Sequence, residues 1–379
     1  MSQVVPPRRP EETLGAELER AGISRREFVV YCSELAALLG FAPALGPSIA
    51  KALQSARRPS VLWLQFQGCT GCVESLLRTE SPTIGDLVLR RISLDYNRTL
   101  QAAAGDRALA ALRQAAQENW GRYLLAVEGA IPTKDGGVYD CAGGITARQE
   151  LEEFAKGAAA VLAVGACAHW GGWPAANPNP TGAVGVPALV RDKPVVVIAG
   201  CPPIADVITA TVAHYLAFGR LPELDLQLRP KFAYGARIHD QCPRRANYDA
   251  GQFVETFDDD AARRGWCLYK VGCKGPATFS PCPLINWNGT TKWPIAAGHP
   301  CFGCTEPFFW DTMTPIYRRL PRVAGFGVEQ TADLIGAAVA AGVTAGVAAH
   351  AVATGIQRAR ARRRAAGAEP AAGPESEEA

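Results

Sequence analysis

Of the twelve cysteines in this 379-residue chain, all but Cys32 lie between Cys69 and Cys304, and His239 stands three residues before Cys242. This constrains the fold most, because so many thiols must pair with one another, bind metal or be kept apart. Soft thiolates in Cys-x-x-Cys or similar spacing, bordered by Gly and Pro, suit iron–sulfur clusters, and one histidine among the cysteines is an accepted variant. The competing reading is a disulfide scaffold in an exported protein. Such scaffolds are short and lack a core, whereas 379 residues that are 48% hydrophobic can bury one without covalent staples.

The N-terminus supplies the second argument against disulfides. Ser24-Arg25-Arg26-Glu27-Phe28 carries a twin arginine, followed by Val29-Val30 and an apolar stretch from Leu35 to Leu45 that Glu34 borders. Ala50-Lys51-Ala52 then offers a small-x-small cleavage site, so residues 1–52 are predicted to be a twin-arginine export signal. Substrates of that route cross the membrane folded, with cofactors installed in the cytosol where thiols stay reduced. Cysteine-rich and exported are then compatible.

At the other end, Leu334 to Gln357 holds no charged residue over 24 positions. At about 1.5 Å per residue this suffices for a hydrocarbon core of about 30 Å. The segment is rich in Ala and Gly, which leaves a buried core helix as the alternative, but the flanks favour a membrane span. Arg358, Arg360, Arg362, Arg363 and Arg364 follow it, and Glu329 and Asp333 precede it. The positive-inside rule then puts the C-terminus in the cytoplasm and the folded body outside. Gly342 and Gly346 form a small-xxx-small face. His350 suits either a haem- or quinone-bearing partner or a hydrogen bond to a neighbouring helix. Residues 365–379 are expected to be disordered. The net charge of +3 comes largely from the termini, and no basic groove with interleaved aromatics points to nucleic acid.

In the body, Val61–Phe66, Ile92–Tyr96, Tyr123–Val127, Ala160–Val164 and Val195–Ala199 read as buried strands. Helices are expected over Arg107–Glu118, Ala147–Ala158 and Pro203–Phe218, the last opening on a first-turn proline. This alternation implies an α/β fold with a largely parallel sheet covered by helices on both faces. Ligands of such sheets gather beyond the carboxyl ends of the strands. Cys69 and Cys72 follow the first strand, Cys167 the fourth and Cys201 the fifth, so four thiols distant in sequence can meet at one sheet edge and hold one [4Fe–4S] cluster.

From about residue 235 the periodicity fades, and His239, Cys242, Cys267, Cys273, Cys282, Cys301 and Cys304 follow among Gly, Pro and Asn. With little apolar alternation, this segment is expected to be organised by bound clusters. Zinc is the competing metal. Seven ligands do not divide into closed four-ligand zinc sites, whereas four plus three fits a cubane and a three-iron cluster.

Five blocks are more specific: Cys69-Thr70-Gly71-Cys72-Val73-Glu74-Ser75, Val127-Glu128-Gly129-Ala130-Ile131-Pro132, Gly200-Cys201-Pro202-Pro203, His239-Asp240-Gln241-Cys242-Pro243-Arg244-Arg245 and Gly298-His299-Pro300-Cys301-Phe302-Gly303-Cys304. Together they resemble the small subunit of membrane-bound, uptake-type [NiFe] hydrogenases, over nearly the whole chain. The resemblance implies a flavodoxin-like domain over residues 58–234, a loop-rich iron–sulfur domain over 235–325, a transmembrane anchor over 332–357 and a basic, then disordered, cytoplasmic tail over 358–379. It implies a proximal [4Fe–4S] cluster on Cys69, Cys72, Cys167 and Cys201, and a distal [4Fe–4S] cluster on His239, Cys242, Cys267 and Cys273. Cys282, Cys301 and Cys304 match the medial cluster, with Pro294 where a fourth cysteine would stand, so [3Fe–4S] is implied there.

The family's nickel–iron centre belongs to a large subunit, and this chain lacks the terminal Cys-x-x-Cys pairs that would hold it. No residue here is expected to be catalytic. Electrons are expected to leave at the His239 end toward a membrane cytochrome b or another quinone-linked acceptor, after export by the twin-arginine machinery to the outer face of the cell membrane. A hydrogen-sensing regulatory subunit is the alternative, disfavoured by the export signal and anchor. An iron–sulfur subunit of another quinone-linked enzyme is disfavoured by the seven downstream ligands. Relatives that tolerate oxygen carry two further cysteines near the proximal cluster, and the matching positions here are Gly71 and Gly172. Asn97-Arg98 stands where a His-Glu pair is expected. Cys32 and Cys141 are read as spectators, and Glu74 and Glu128 as residues that make hydrogen bonds or touch the large subunit.

Overall fold

The computed structural model describes residues 24–38, 42–55, 58–80, 83–87, 92–287, 292–320 and 328–366. The expected disorder beyond residue 366, like the first 23 residues of the predicted signal, lies outside them. The chain divides into two compact units, residues 1–320 and 321–379.

Five strands form the main sheet of the first unit: β1 (Ser60–Gln65), β2 (Ser93–Asn97), β3 (Tyr123–Glu128), β4 (Ala158–Val164) and β5 (Val195–Ile198). All pair in parallel, in the order β2-β1-β3-β4-β5. Strands covered on both faces lose the polar alternation of half-exposed ones, and β3 is buried along its whole length. The order reverses between β1 and β3, which makes the carboxyl ends of these two strands the switch point of a flavodoxin-like sheet.

Helices α1 (Arg25–Leu38) and α2 (Gly46–Ser55) precede the sheet, and α3 (Gly71–Leu77), α4 (Gly105–Glu118), α5 (Ala147–Ala155), α6 (Gly165–Trp170) and α7 (Ala205–Phe218) intervene or follow. Ala108, Leu112 and Ala116 recur every four residues on the buried face of α4. A capping box starts α5: the Gln149 N–H donates to Thr146 Oγ1 and the Thr146 N–H donates to Gln149 Oε1. This helix stops at Ala155, three residues short of the expected end, because Ala158 already pairs with Tyr123. Gly157 in the turn lies so close to the Trp120 ring that a Cβ would be 2.5 Å from it. Likewise α7 begins at Ala205, not at Pro203, since the Pro203 carbonyl is engaged by Ser75 Oγ at 2.6 Å.

Helix α7 is apolar almost all round, and α1 and α2 cover one side of it. Phe28, Cys32 and Ala36 of α1 with Ile49 and Ala50 of α2 form a buried cluster against Ala210 and Ala213. The predicted cleavage site Ala50-Lys51-Ala52 thus falls inside α2, with Ala50 buried.

The described residues of 235–320 form helical elements only as short turns and pair as strands only in isolated bridges, Arg237 with Phe279 and Phe253 with Cys267, as the loss of periodicity predicts. Their apolar side chains are nonetheless continuous with the sheet's core, through Ile238, Val254, Leu268, Val271, Trp293 and Ile295. A buried ion pair adds a polar tie: Arg229 donates to Asp225, to Glu306 Oε1 at 3.1 Å and to the Thr305 carbonyl. In the second unit, α8 (Val328–Ala366) contains a stretch, Ala338–Arg364, long and apolar enough to cross a membrane.

Candidate iron–sulfur ligand sites

The loop after β1 and the loop after β3 press together at the switch point. Gln67 and Ala130 exchange backbone hydrogen bonds of 3.1 and 2.7 Å, and Gly129, at φ +95°, has no room for a Cβ, which would sit 2.6 Å from the Phe66 carbonyl carbon. Cys69 and Cys72 emerge there. The Cys72 N–H donates to Glu128 Oε1 at 2.9 Å, and Trp63 Nε1 donates to Glu128 Oε2 at 3.2 Å. Burial holds this carboxyl above its ordinary range. Glu128 is therefore the hydrogen-bonding residue expected, a buttress for the cysteine loop.

The ends of β4 and β5 complete the set. The Ala166 N–H donates to the Gly200 carbonyl at 2.7 Å, which ties the turn carrying Cys167 to the turn carrying Cys201. Gly165 sits at φ +92°, and a Cβ there would lie 2.4 Å from Cys72 Sγ. Burial first, then the negative charge of Glu128, Cys167, Cys201 and Cys69, pushes the Cys72 thiol well up. Cys167 is pushed to about 12 by burial and by its neighbours Cys201 and Cys69. Four sulfurs within electrostatic reach of one another resist ionising together unless a cation takes the place of their protons.

The other seven residues also come together. A pocket of ≈ 340 Å³ is lined by His239, Cys242, Cys267 and Cys273. A second, of ≈ 290 Å³, is lined by Cys282, Cys301 and Cys304, with Pro294 on its wall. Each set borders a partly open space and does not converge on one point, an arrangement that suits a polynuclear cluster. Among the described residues no three His, Cys, Asp or Glu side chains close up as ligands of a single metal ion. None of the twelve cysteines is joined in a disulfide.

The sulfurs have local donors. Backbone N–H groups two residues on, of Arg244, Gly275 and Gly303, each donate at 3.4 Å to the sulfurs of Cys242, Cys273 and Cys301. Trp287 Nε1 donates to Cys282 Sγ at 3.3 Å. Such bonds favour thiolate and tune a bound cluster. Burial and the neighbouring thiols raise Cys301 well above the ordinary thiol range, and burial takes Cys267 to about 12 and Cys273 to about 11. Burial also lowers His239 to about 4, so its ring is neutral near pH 7 and able to ligate. It packs edge-on to Tyr248, ring centroids 4.6 Å apart. This chemistry fits iron–sulfur ligation.

The three sets adjoin in a row. Cys304 lies close enough to Cys201 for the charge of Cys201 to raise its thiol and the Cys201 backbone to lower it, and the Cys301 carbonyl accepts the N–H of Lys274, next to Cys273. Cys32 and Cys141 stand apart: the first is buried in the α1–α2 hairpin, the second exposed with its Sγ near the Val138 carbonyl. Gly71 and Gly172 do border the first set, since Cβ atoms there would lie 3.1 Å from Cys69 Sγ and 2.4 Å from Cys167 Sγ.

The Asn97-Arg98 pair has a local role. Asn97 Oδ1 accepts the N–H groups of Thr99 and Leu100, closing the turn after β2. Arg98 donates to the Gln65 carbonyl at 2.7 Å and to the buried carboxylate of Glu150. Sequence reasoning missed the role of Arg98, along with those of Arg229 and Lys274, because Gln65 and Glu150, Thr305 and Glu306, and Ile316 and Arg318 are distant from them in the chain.

Two family models match: residues 234–317 match the C-terminal part of the NiFe/NiFeSe hydrogenase small subunit, and residues 69–215 match the 20 Kd subunit of NADH ubiquinone oxidoreductase. The uptake hydrogenase small subunit of Azotobacter vinelandii is 51% identical over 329 residues, covering 87% of this chain and 92% of its own length. That of Cupriavidus necator is 47% identical over 329 residues, covering 87% and 91%. Among solved structures, the [NiFeSe]-hydrogenase of Dm. baculatum matches with a TM-score of 0.65 at 36% identity, over 70% of this chain and 100% of that one. The actinobacterial-type NiFe-hydrogenase of Ralstonia eutropha matches with a TM-score of 0.64 at 26% identity, over 74% and 91%. With the sheet, the thiol sets and these relatives in agreement, the chain belongs to the family of [NiFe] hydrogenase small subunits, the electron-transfer halves of heterodimeric hydrogenases.

Proposed function

We propose that this protein passes electrons from hydrogen oxidised on its large-subunit partner along three iron–sulfur clusters to an acceptor in the membrane. Cys69, Cys72, Cys167 and Cys201 would hold a proximal [4Fe–4S] cluster. Cys282, Cys301 and Cys304 would hold a medial [3Fe–4S] cluster, and His239, Cys242, Cys267 and Cys273 a distal [4Fe–4S] cluster. When bound, these groups supply one-electron carriers. The chain's own residues position them, bury the medial set and furnish N–H donors to the sulfurs.

The observation that carries the reading is the continuity of the three sets, Cys201 beside Cys304 and Cys301 beside Cys273 through Lys274. Export by the twin-arginine route and anchoring by α8, with the C-terminus in the cytoplasm, complete the proposal. The arginines after Gln357 and the apolar stretch Ala338–Arg364 support that orientation. A cytochrome b or another quinone-linked protein is the acceptor at the His239 end.

Purification with the co-expressed large subunit tests it. Expected are about 11 iron atoms in this chain, a three-iron paramagnetic signal when oxidised, and hydrogen-dependent dye reduction. Stoichiometric zinc, or an iron-free preparation with oxidised cysteines, overturns the assignment.

A further inference from the structure

Lys274 lies between two of the ligand sets. It follows Cys273, and its backbone N–H donates to the Cys301 carbonyl at 2.7 Å. Its side chain is 2% exposed. Nζ donates to the carbonyl oxygens of Gly272 at 2.8 Å and Ile316 at 3.1 Å, and to that of Arg318. An ammonium has three N–H donors and no acceptor capacity, so these carbonyls satisfy it while leaving its charge in place.

The surroundings close on this side chain. Gly272, at φ +101°, faces residues 316–317 so closely that a Cβ would lie 2.5 Å from the Tyr317 carbonyl carbon. A Cβ at Gly303 would come within 3.5 Å of Lys274 Cβ. The titratable groups facing the ammonium are the thiols of Cys273 and Cys301 and the guanidinium of Arg318. Burying a cation is costly, and an apolar side chain of similar volume fills such a space at lower cost. The charge itself therefore calls for a function.

We propose that Lys274 is a fixed positive charge between the medial and distal ligand sets that raises the reduction potential of the clusters they bind. This rests on the cluster reading above and deepens it. Cluster potentials respond to net charge and hydrogen bonding around the sulfurs, and this ammonium is held by neutral partners, so it acts on the sulfurs without a local counter-ion. It would favour the reduced state at this end of the row, drawing electrons away from the proximal end.

The test uses the purified heterodimer carrying Lys274→Met and, separately, Lys274→Gln, which loses the charge but keeps a donor. Iron is counted, and the clusters are titrated against applied potential by electron paramagnetic resonance. Both variants are expected to keep full iron and to show lower midpoints for the medial and distal signals. At fixed potential the reduced-to-oxidised ratio should fall by about tenfold, about 59 mV for a one-electron couple. Unchanged midpoints in any fully loaded variant overturn the proposal. If one variant fails to load, the other decides; if both lose iron, Lys274 is a structural clamp and the electrostatic role is overturned. A wild-type preparation without iron or a three-iron signal defeats the cluster reading instead.

Discussion

Single residues set the first ligand group with little tolerance. Gly165 takes a backbone conformation costing an ordinary residue about 1–3 kcal/mol, and any Cβ would press on Cys72 Sγ. Gly165→Ala is therefore expected to lower both the melting temperature and the iron content by part or all of one four-iron cluster, measured by calorimetry and iron assay. On the proposed cluster assignment, Cys273→Ser should remove the distal signal and leave the low-temperature resonance of a medial three-iron cluster, since the two sets have separate thiols. The gathering of the cysteines and His239 into sets was legible because thiols and imidazole at such spacing stand out by residue type. Lys274 was not: a lysine in a Gly-Pro-rich stretch reads as a solvated surface residue until the carbonyls of Ile316 and Arg318, more than forty positions on, are seen to enclose it.

Among the elements, the turn after β2 and helix α5 are fastened by Arg98 and Glu150, 52 residues apart. The Glu150 side chain is 1% exposed and that of Arg98 23%. Removing the cation from a buried pair costs about 3 kcal/mol, so Arg98→Met should unfold at lower denaturant by that margin near pH 7. Burial already holds the Glu150 carboxyl above its ordinary range, while Arg98 pulls it down. Without Arg98 it rises further, so the loss should be small below the unfolded carboxylate range and grow as pH rises through the folded value. Unfolding curves at pH 4.5 and 7.5 check the sign. The parallel strands were readable as short apolar runs, because each is buried on both faces. Helix starts were less so: Pro203 suits a first turn, but the contact of its carbonyl with Ser75 delays α7 to Ala205.

In the whole molecule, the sheet and the thiol-rich segment share one core within residues 1–320, while 321–379 form a separate unit. A chain ending at Leu320 is expected to fold and load iron yet leave the membrane fraction, as fractionation and iron assay would show. Chelation of iron under reducing conditions should make residues 235–320 sensitive to protease and leave the β1–β5 sheet protected, because the segment has little regular backbone pairing of its own. Sequence distinguished the two regions by periodicity, but their shared core depends on pairs such as Arg229 with Glu306, 77 residues apart, which no local pattern encodes. The N-terminal hairpin has a consequence of its own. On the proposed export reading, with Ala50 packed inside a helix against α7, a peptidase needing extended backbone at Ala50-Lys51-Ala52 would have to wait until α2 lifts away, so cleavage there would be timed by a local unclasping and not by the small-x-small pattern alone.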